Sequence, residues 1–454
     1  MSGEPNTIAA PATRPESDVS PWVGVVGLIT LLGWILICRA WPDLVAAFDL
    51  PGPRARMDGR NAALAGLVLS ALAMVTWSIV VDEVHRRPST GIDWSLRHSR
   101  RFDLPRSAVK LLGLWVTWAT IAVLYCLGRW YWSGSYEFAI TVLTYAIGPM
   151  VVLSIPYVVW LDRVMVRPHD HSWHFGALLI GKSGWDADEV KKHWRAWIIK
   201  GFFTAFMISI VPGGFAYVVA ADTAGLMANP AALGLLLIQL LFVIDVQIGT
   251  VGYIVTMRPL DAHIRSGNPF LAGWLAALMC YPPFVWGIIG GGKVLNYEQN
   301  TRDWVFWFAG HDWLLWVWAV WLVFLTAIYA WATFAFGIRF SNLTYRGVLT
   351  GGPYRFTRHP AYVSKNLFWW CSVLPFLVTS GSYVEMIRNT ACLLAVNGIY
   401  YWRARTEEAH LLAEDPKYVA YHAYMAEKGL ITAPLTRLAA ALKNLRRPAA
   451  VIDR

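Results

Sequence analysis

Long runs without a single Asp, Glu, Lys or Arg divide this chain, at 21–38, 61–81, 111–128, 138–161, 201–221, 266–292, 313–338 and 366–384, with a shorter one at 389–402. A further run, 223–257, is interrupted only by Asp245, and its part through Pro230 reads as loop. The hydrocarbon layer is about 30 Å thick and a helix rises about 1.5 Å per residue, so roughly 20 apolar residues cross it. The runs are apolar on every side, which excludes the alternating segments of a membrane barrel. The expectation is an all-α, polytopic integral membrane protein of about ten transmembrane helices.

Only 15% of the residues are charged, against about 25% in soluble domains, so a soluble globule is excluded. The 26 Trp, 19 Tyr and 20 Phe are of the kind that gathers at membrane-water boundaries. Ten passes with both termini cytoplasmic put 31 of the 39 basic residues on one side, as the positive-inside rule requires. Arg54, Arg56 and Arg60 fall on the other side and make the first two passes the weakest part of that topology. The net charge of +10 is explained by orientation and by anionic headgroups, so no nucleic-acid partner is implied. The membrane would be the inner membrane of a bacterium or the endoplasmic reticulum of a eukaryote.

Cys38, Cys126, Cys280, Cys371 and Cys392 stand singly in apolar stretches, with neither a disulfide framework nor a zinc site in their spacing. His169, Asp170, His171 and His174 are dense enough for a metal, but they read as solvated side chains of an exposed loop, and no metal is expected. Asp245 inside its run is either functional or paired with a neighbouring helix. Residues 184–197 read as an interfacial amphipathic helix capped by Asp186. Residues 1–20 are polar, lack a signal-peptide pattern and read as a disordered tail.

Chemistry concentrates after residue 300. The segment RFSNLTYRGVLTGGPYRFTRHPAYVSKN (339–366) turns tightly through its glycines and delivers Arg358, His359 and Pro360 to a helix start, a place suited to an anionic group. The segment YYWRARTEEAHLLAEDPKYVAYHAYM (400–425) prolongs the last helix into the cytoplasm, with Arg403 and Glu407 on one face.

Together, Gly352-Pro353-Tyr354, Arg358-His359-Pro360-Ala361-Tyr362, Arg403-Ala404-Arg405-Thr406-Glu407-Glu408 and Tyr418…Tyr421 resemble the isoprenylcysteine carboxyl methyltransferase family and its phospholipid N-methyltransferase relatives. The resemblance spans roughly 315–432. It implies a cytoplasmic pocket for S-adenosyl-L-methionine as methyl donor, with a membrane lipid or lipidated acceptor entering laterally. Carried over by position, Val348, Leu349, Tyr354, His359, Pro360, Ala361, Tyr362 and Glu407 would line the donor pocket. Arg403 would hold the acceptor, and Arg403 with Glu407 would be the catalytic pair. Arg339 stands where the prenylcysteine enzymes would have glutamine, and Asp415-Pro416 replaces a glycine before the tyrosine pair.

The division this implies is a tail (1–20), a seven-helix module (21–300), the methyltransferase core (301–432) and a basic tail (433–454). The seven-helix module, without a motif of its own, would gather substrate or support homo-oligomerisation. An amine acceptor, as in phospholipid N-methyltransferases, is one alternative. A nicotinamide-dependent sterol-type reductase, which shares the RHPxY string, is another, and a non-enzymatic transport or structural protein is a third.

Overall fold

The computed structural model describes residues 11–128 and 137–445. The chain folds as helices α1 (Pro21–Phe48), α2 (Arg60–Val80), α3 (Leu96–Ser99), α4 (Leu104–Gly128), α5 (Glu137–Val164), α6 (His171–Leu179), α7 (Ala187–Ala220) and α8 (Pro230–Ile254). It continues through α9 (Leu271–Leu278), α10 (Val285–Ile288), α11 (Trp304–Trp307), α12 (Asp312–Phe334), α13 (Pro360–Val373), α14 (Tyr383–Glu414), α15 (Pro416–Lys428) and α16 (Thr432–Leu445). Two two-residue strands, β1 (Ser266–Gly267) and β2 (Thr344–Tyr345), pair antiparallel. Among the described residues seven helices, α1, α2, α4, α5, α7, α8 and α12, are long and apolar enough to cross a membrane, so the protein is an all-α membrane protein. Helices serve because each closes its own backbone hydrogen bonds, and the starts are capped: Asn229 Oδ1 accepts from Ala232 N at 3.0 Å and Asp186 Oδ1 from Asp188 N at 2.8 Å.

Several expectations change. The run 266–292 is not one helix: α9 ends at Leu278, Pro282 and Pro283 withhold two backbone donors, and Gly290 and Gly292 take left-handed φ of 113° and 69°. The run 366–384 is cut at Leu374, where φ of 51° ends α13 just before Pro375. Residues 187–197 are no separate surface helix but the first turns of the 34-residue α7. Residues 11–20 are not free: Thr350 Oγ1 donates to Pro15 O at 2.8 Å, and Asp18 is held from four directions, as described below. The expected disorder of 1–10 lies outside the described residues.

Helix α8 is the hub of the bundle, packing on α12, α7 and α2. Small residues set the spacing. A Cβ on Gly214 of α7 would meet Gln239 and Val243 of α8 at 2.8 and 3.0 Å, and one on Gly27 of α1 would meet Met74 of α2 at 2.5 Å. Asp245, on α8, accepts a hydrogen bond from Thr333 Oγ1 of α12, so it has the neighbouring-helix partner. At its far end α8 delivers Gly252, whose missing side chain leaves room for the Phe340 backbone to lie directly on the helix. That contact puts the polar loop after α12 in place.

Candidate functional site

The loop 337–359 is fixed mainly by the part before residue 300, which holds six long apolar helices among the described residues and not the seven expected. Arg339 pairs with Asp261 at 2.5 Å, and both are nearly inaccessible (5% and 1% exposed). Arg346 donates to the carbonyls of Gly252 at 2.8 Å, Phe340 at 2.9 Å and Ile338 at 3.0 Å, and also to that of Ala262. Buried cations of this kind are tolerable only when most of their donors are filled, and here the loop, a linker and a helix end fill both terminal nitrogens of Arg346. Pairing of Ser266 with Tyr345 and Gly267 with Thr344 adds a backbone register. Gly347 has φ of 111°, and a Cβ there would meet Arg339 Nη1 at 2.5 Å and Asp18 Oδ2 at 3.1 Å, so only glycine serves.

Asp18 closes the outside of the loop. Its Oδ2 accepts from Val348 N at 2.7 Å, its Oδ1 from Lys417 Nζ at 2.6 Å, its carbonyl from Arg87 Nη1 at 2.9 Å, and its own N–H donates to Val348 O at 2.9 Å. Burial works against its charge, but the hydrogen bonds from Lys417 and Val348 prevail and hold the carboxyl below its ordinary range.

Helix α14 supplies the other wall. Arg403 Nε donates to Glu407 Oε1 at 3.1 Å and its Nη2 to Asn342 Oδ1 at 2.6 Å, while Tyr362 OH donates to the same Glu407 oxygen at 2.6 Å. The Arg403 guanidinium lies between the rings of Tyr281 and Tyr362, 5.4 and 5.1 Å from their centroids. One position on, Glu408 is 3% exposed and ties the end of the loop to α14: His359 Nε2, Arg358 Nε and Arg405 Nη1 each lie 3.0 Å from its oxygens. Burial alone would raise its pKa, but the His359 hydrogen bond and the charges of His359 and Arg358 hold the carboxyl far below the usual range.

These walls enclose a cavity. Val348, Leu349, Tyr354, His359, Ala361, Tyr362, Arg403 and Glu407 all face it, so eight of the nine residues singled out in the sequence meet at one place. Pro360 does not face it and instead begins α13. Arg339 does line it, but its guanidinium is committed to Asp261. Asp415 caps α15 by accepting from Lys417 N at 2.8 Å and takes a hydrogen bond from Tyr345 OH, so it keeps the tail geometry in place of the glycine. Sequence reasoning did not reach Asn342, Tyr281, Tyr329 and Lys365, which also line the cavity. It offered Glu408 as an alternative to Glu407 for taking a proton from an amine, not as the partner of Arg358 and His359, although an acidic pair one helical hairpin from Arg-His was a signal.

Elsewhere, Asp170 caps α6 and lies 3.5 Å from Lys110, His171 Nδ1 faces His193 Nδ1 at 3.3 Å, and His174 Nδ1 accepts from Asp186 N at 3.0 Å. Of that cluster only His169 is exposed; the other three are packed, contrary to the solvated reading. Among the described residues no group of three His, Cys, Asp or Glu could hold a metal. Comparisons with protein-family models, with curated proteins and with solved structures each find no match.

Proposed function

We propose that the chain is an S-adenosylmethionine-dependent membrane methyltransferase acting on a lipid or lipidated acceptor from the cytoplasmic face. One observation carries the reading: the two polar segments that resemble the methyltransferase family, far apart in sequence, close on a single cavity with Arg358, Tyr362, Arg403 and Glu407 along it. Its lining fits the donor's chemistry. Glu407 offers a carboxylate to an ammonium, Tyr354, Tyr362 and Tyr418 offer ring faces to a cation, and Arg358 Nη1 is buried with no hydrogen-bond partner among the described residues, a vacant donor for a carboxylate.

Bound there, the donor supplies an electrophilic methyl whose bond to sulfur breaks, leaving the electron pair on sulfur as the bond to the acceptor forms. The chain's residues position and shield. Arg403, fixed by Glu407, Asn342 and two rings, orients the acceptor, and positioning accounts for most of the rate in such displacements. A carboxylate acceptor needs no base. An amine must lose a proton, and Glu407, at the centre of the site, is the acceptor within reach.

The cytoplasmic placement rests on the positive loops, and ten passes remain the topology we favour. The broken segment after β1 runs from the loop end of the molecule to Asn300, whose carbonyl accepts from Thr379 N at 2.7 Å beyond the end of α13. In this topology that segment would make the seventh pass without a long helix. Incubating the purified protein with methyl-labelled donor and total membrane lipid tests the function. Label in an ester or an amine fraction supports it and names the acceptor class; no label in any fraction refutes it.

A further inference from the structure

Lys365 is five residues into α13, so it sits about 7.5 Å deeper than the helix start that carries His359. Its ammonium faces the cavity and is boxed by three rings: Tyr329, Trp369 and Tyr400, at 5.4, 5.3 and 5.6 Å. Ring faces stabilise a cation without supplying a counter-charge. Among the described residues no carboxylate lies within ion-pair distance of it. The other charged groups around it are already engaged. Asp245, whose charge reaches Lys365 only from beyond ion-pair distance, accepts from Thr333, and Arg403 is compensated by Glu407. Cys280 Sγ donates to Ala276 O at 3.4 Å. A cation taken out of water and aimed into a cavity with no carboxylate in contact is an incomplete site.

We propose that Lys365 is the anion-binding group at the deep end of the cavity, recognising the negatively charged headgroup of an amphiphile, a carboxylate or a phosphate. Asp245 is a positioning residue for it: from α8 it anchors Thr333 of α12, so the module before residue 300 supports one wall of the subsite. A protein carrying this group selects anionic over cationic headgroups. Only the identification of that amphiphile as the methyl acceptor rests on the methyltransferase reading; the anion site itself stands on the geometry.

The test uses the full chain in a neutral detergent, with dodecanoate, dodecyl phosphate and dodecylamine as probes in equilibrium dialysis. Lys365→Gln should weaken at least one of the two anions about tenfold or more, and Lys365→Arg should keep it within about threefold of wild type. The anion that responds identifies the source, and dodecylamine should bind no better to wild type than to Lys365→Gln. In wild type, the responding anion should also protect Lys365 from acylation by a soluble active ester, read by mass spectrometry. That second arm does not depend on the variants folding. Equal anion affinity in wild type and Lys365→Gln, or acylation of Lys365 unaffected by either anion, overturns the proposal. S-adenosylhomocysteine binding is measured alongside. A protein that binds the anion through Lys365 but not the nucleoside retains this site and loses the methyltransferase reading; the reverse outcome does the opposite.

Discussion

Replacing Glu408 with Gln removes a charge from the point where the loop, α14 and α15 meet, and nearly preserves side-chain volume. Two of its contacts, to Arg358 and His359 at 3.0 Å, are shielded, with partner side chains 13% and 21% exposed. The ion pair to Arg358 and the hydrogen bond to His359 each lose the carboxylate charge, a loss of about 1 kcal/mol apiece. The third partner, Arg405, is 58% exposed and contributes little after solvent screening. The total is about 2 kcal/mol, which raises the open population of the loop roughly thirtyfold. Arg355 is exposed on that loop, so tryptic cleavage after it, at enzyme levels where closing outruns cutting, should speed up by the same factor. The pH dependence follows from the depressed carboxyl: its contribution is complete above its ordinary value of 4.5 and drains away as pH falls below that value. Wild type should therefore approach the cleavage rate of Glu408→Gln in acid, measured with an acid-tolerant protease. Equal rates for the two proteins at neutral pH would refute the hub.

Glu407→Ala should weaken S-adenosylhomocysteine binding ten- to hundredfold by calorimetry, about the worth of one charge-assisted contact, whereas Arg403→Ala should bind it within about fivefold and lose label transfer. The opposite pattern would exchange their roles. Gly252→Ala forces a methyl into the Phe340 backbone and should cost about 1–3 kcal/mol in thermal stability, while Gly398→Ala in α14, whose Cβ meets nothing within 4 Å, should be neutral or mildly stabilising. Asp18→Ala should speed amide exchange of Val348 about fivefold or more, and the effect should shrink at high salt because the Lys417 partner is 32% exposed.

Apolar runs were readable because the bilayer imposes one length and one composition: seven became long apolar helices, and the short run 389–402 lies inside the 32-residue α14. The two that did not, 266–292 and 366–384, carried their own stop signals in Pro282, Pro283 and Pro375, which a count of charges passes over. The cavity residues were legible where they sit in short strings, as Arg358 to Tyr362 and Arg403 to Glu408 do. Asp18, Asp261, Asn342 and Lys365 were not, because each owes its place to a partner dozens or hundreds of residues away. Asp261 in particular reads as an ordinary loop acid until Arg339 is folded against it.

That dependence changes what a truncation can report. A fragment starting after residue 300 would retain every string that resembles the methyltransferase family, yet lack Asp261, the carbonyls of Gly252 and Ala262, and Asp18. Arg339, only 5% exposed in the intact chain, would lose its one carboxylate partner, and Arg346, 3% exposed, two of its four carbonyls. With the module gone, the contacts that fix the loop forming one wall of the cavity are gone as well. Inactivity of the fragment would thus follow from a collapsed site whether or not the module before residue 300 gathers substrate. A point change on the module that leaves loop partners intact separates the two. Asp245→Asn retains Asp261, Gly252 and Ala262, so any loss it causes belongs to the acceptor end of the cavity and not to the loop.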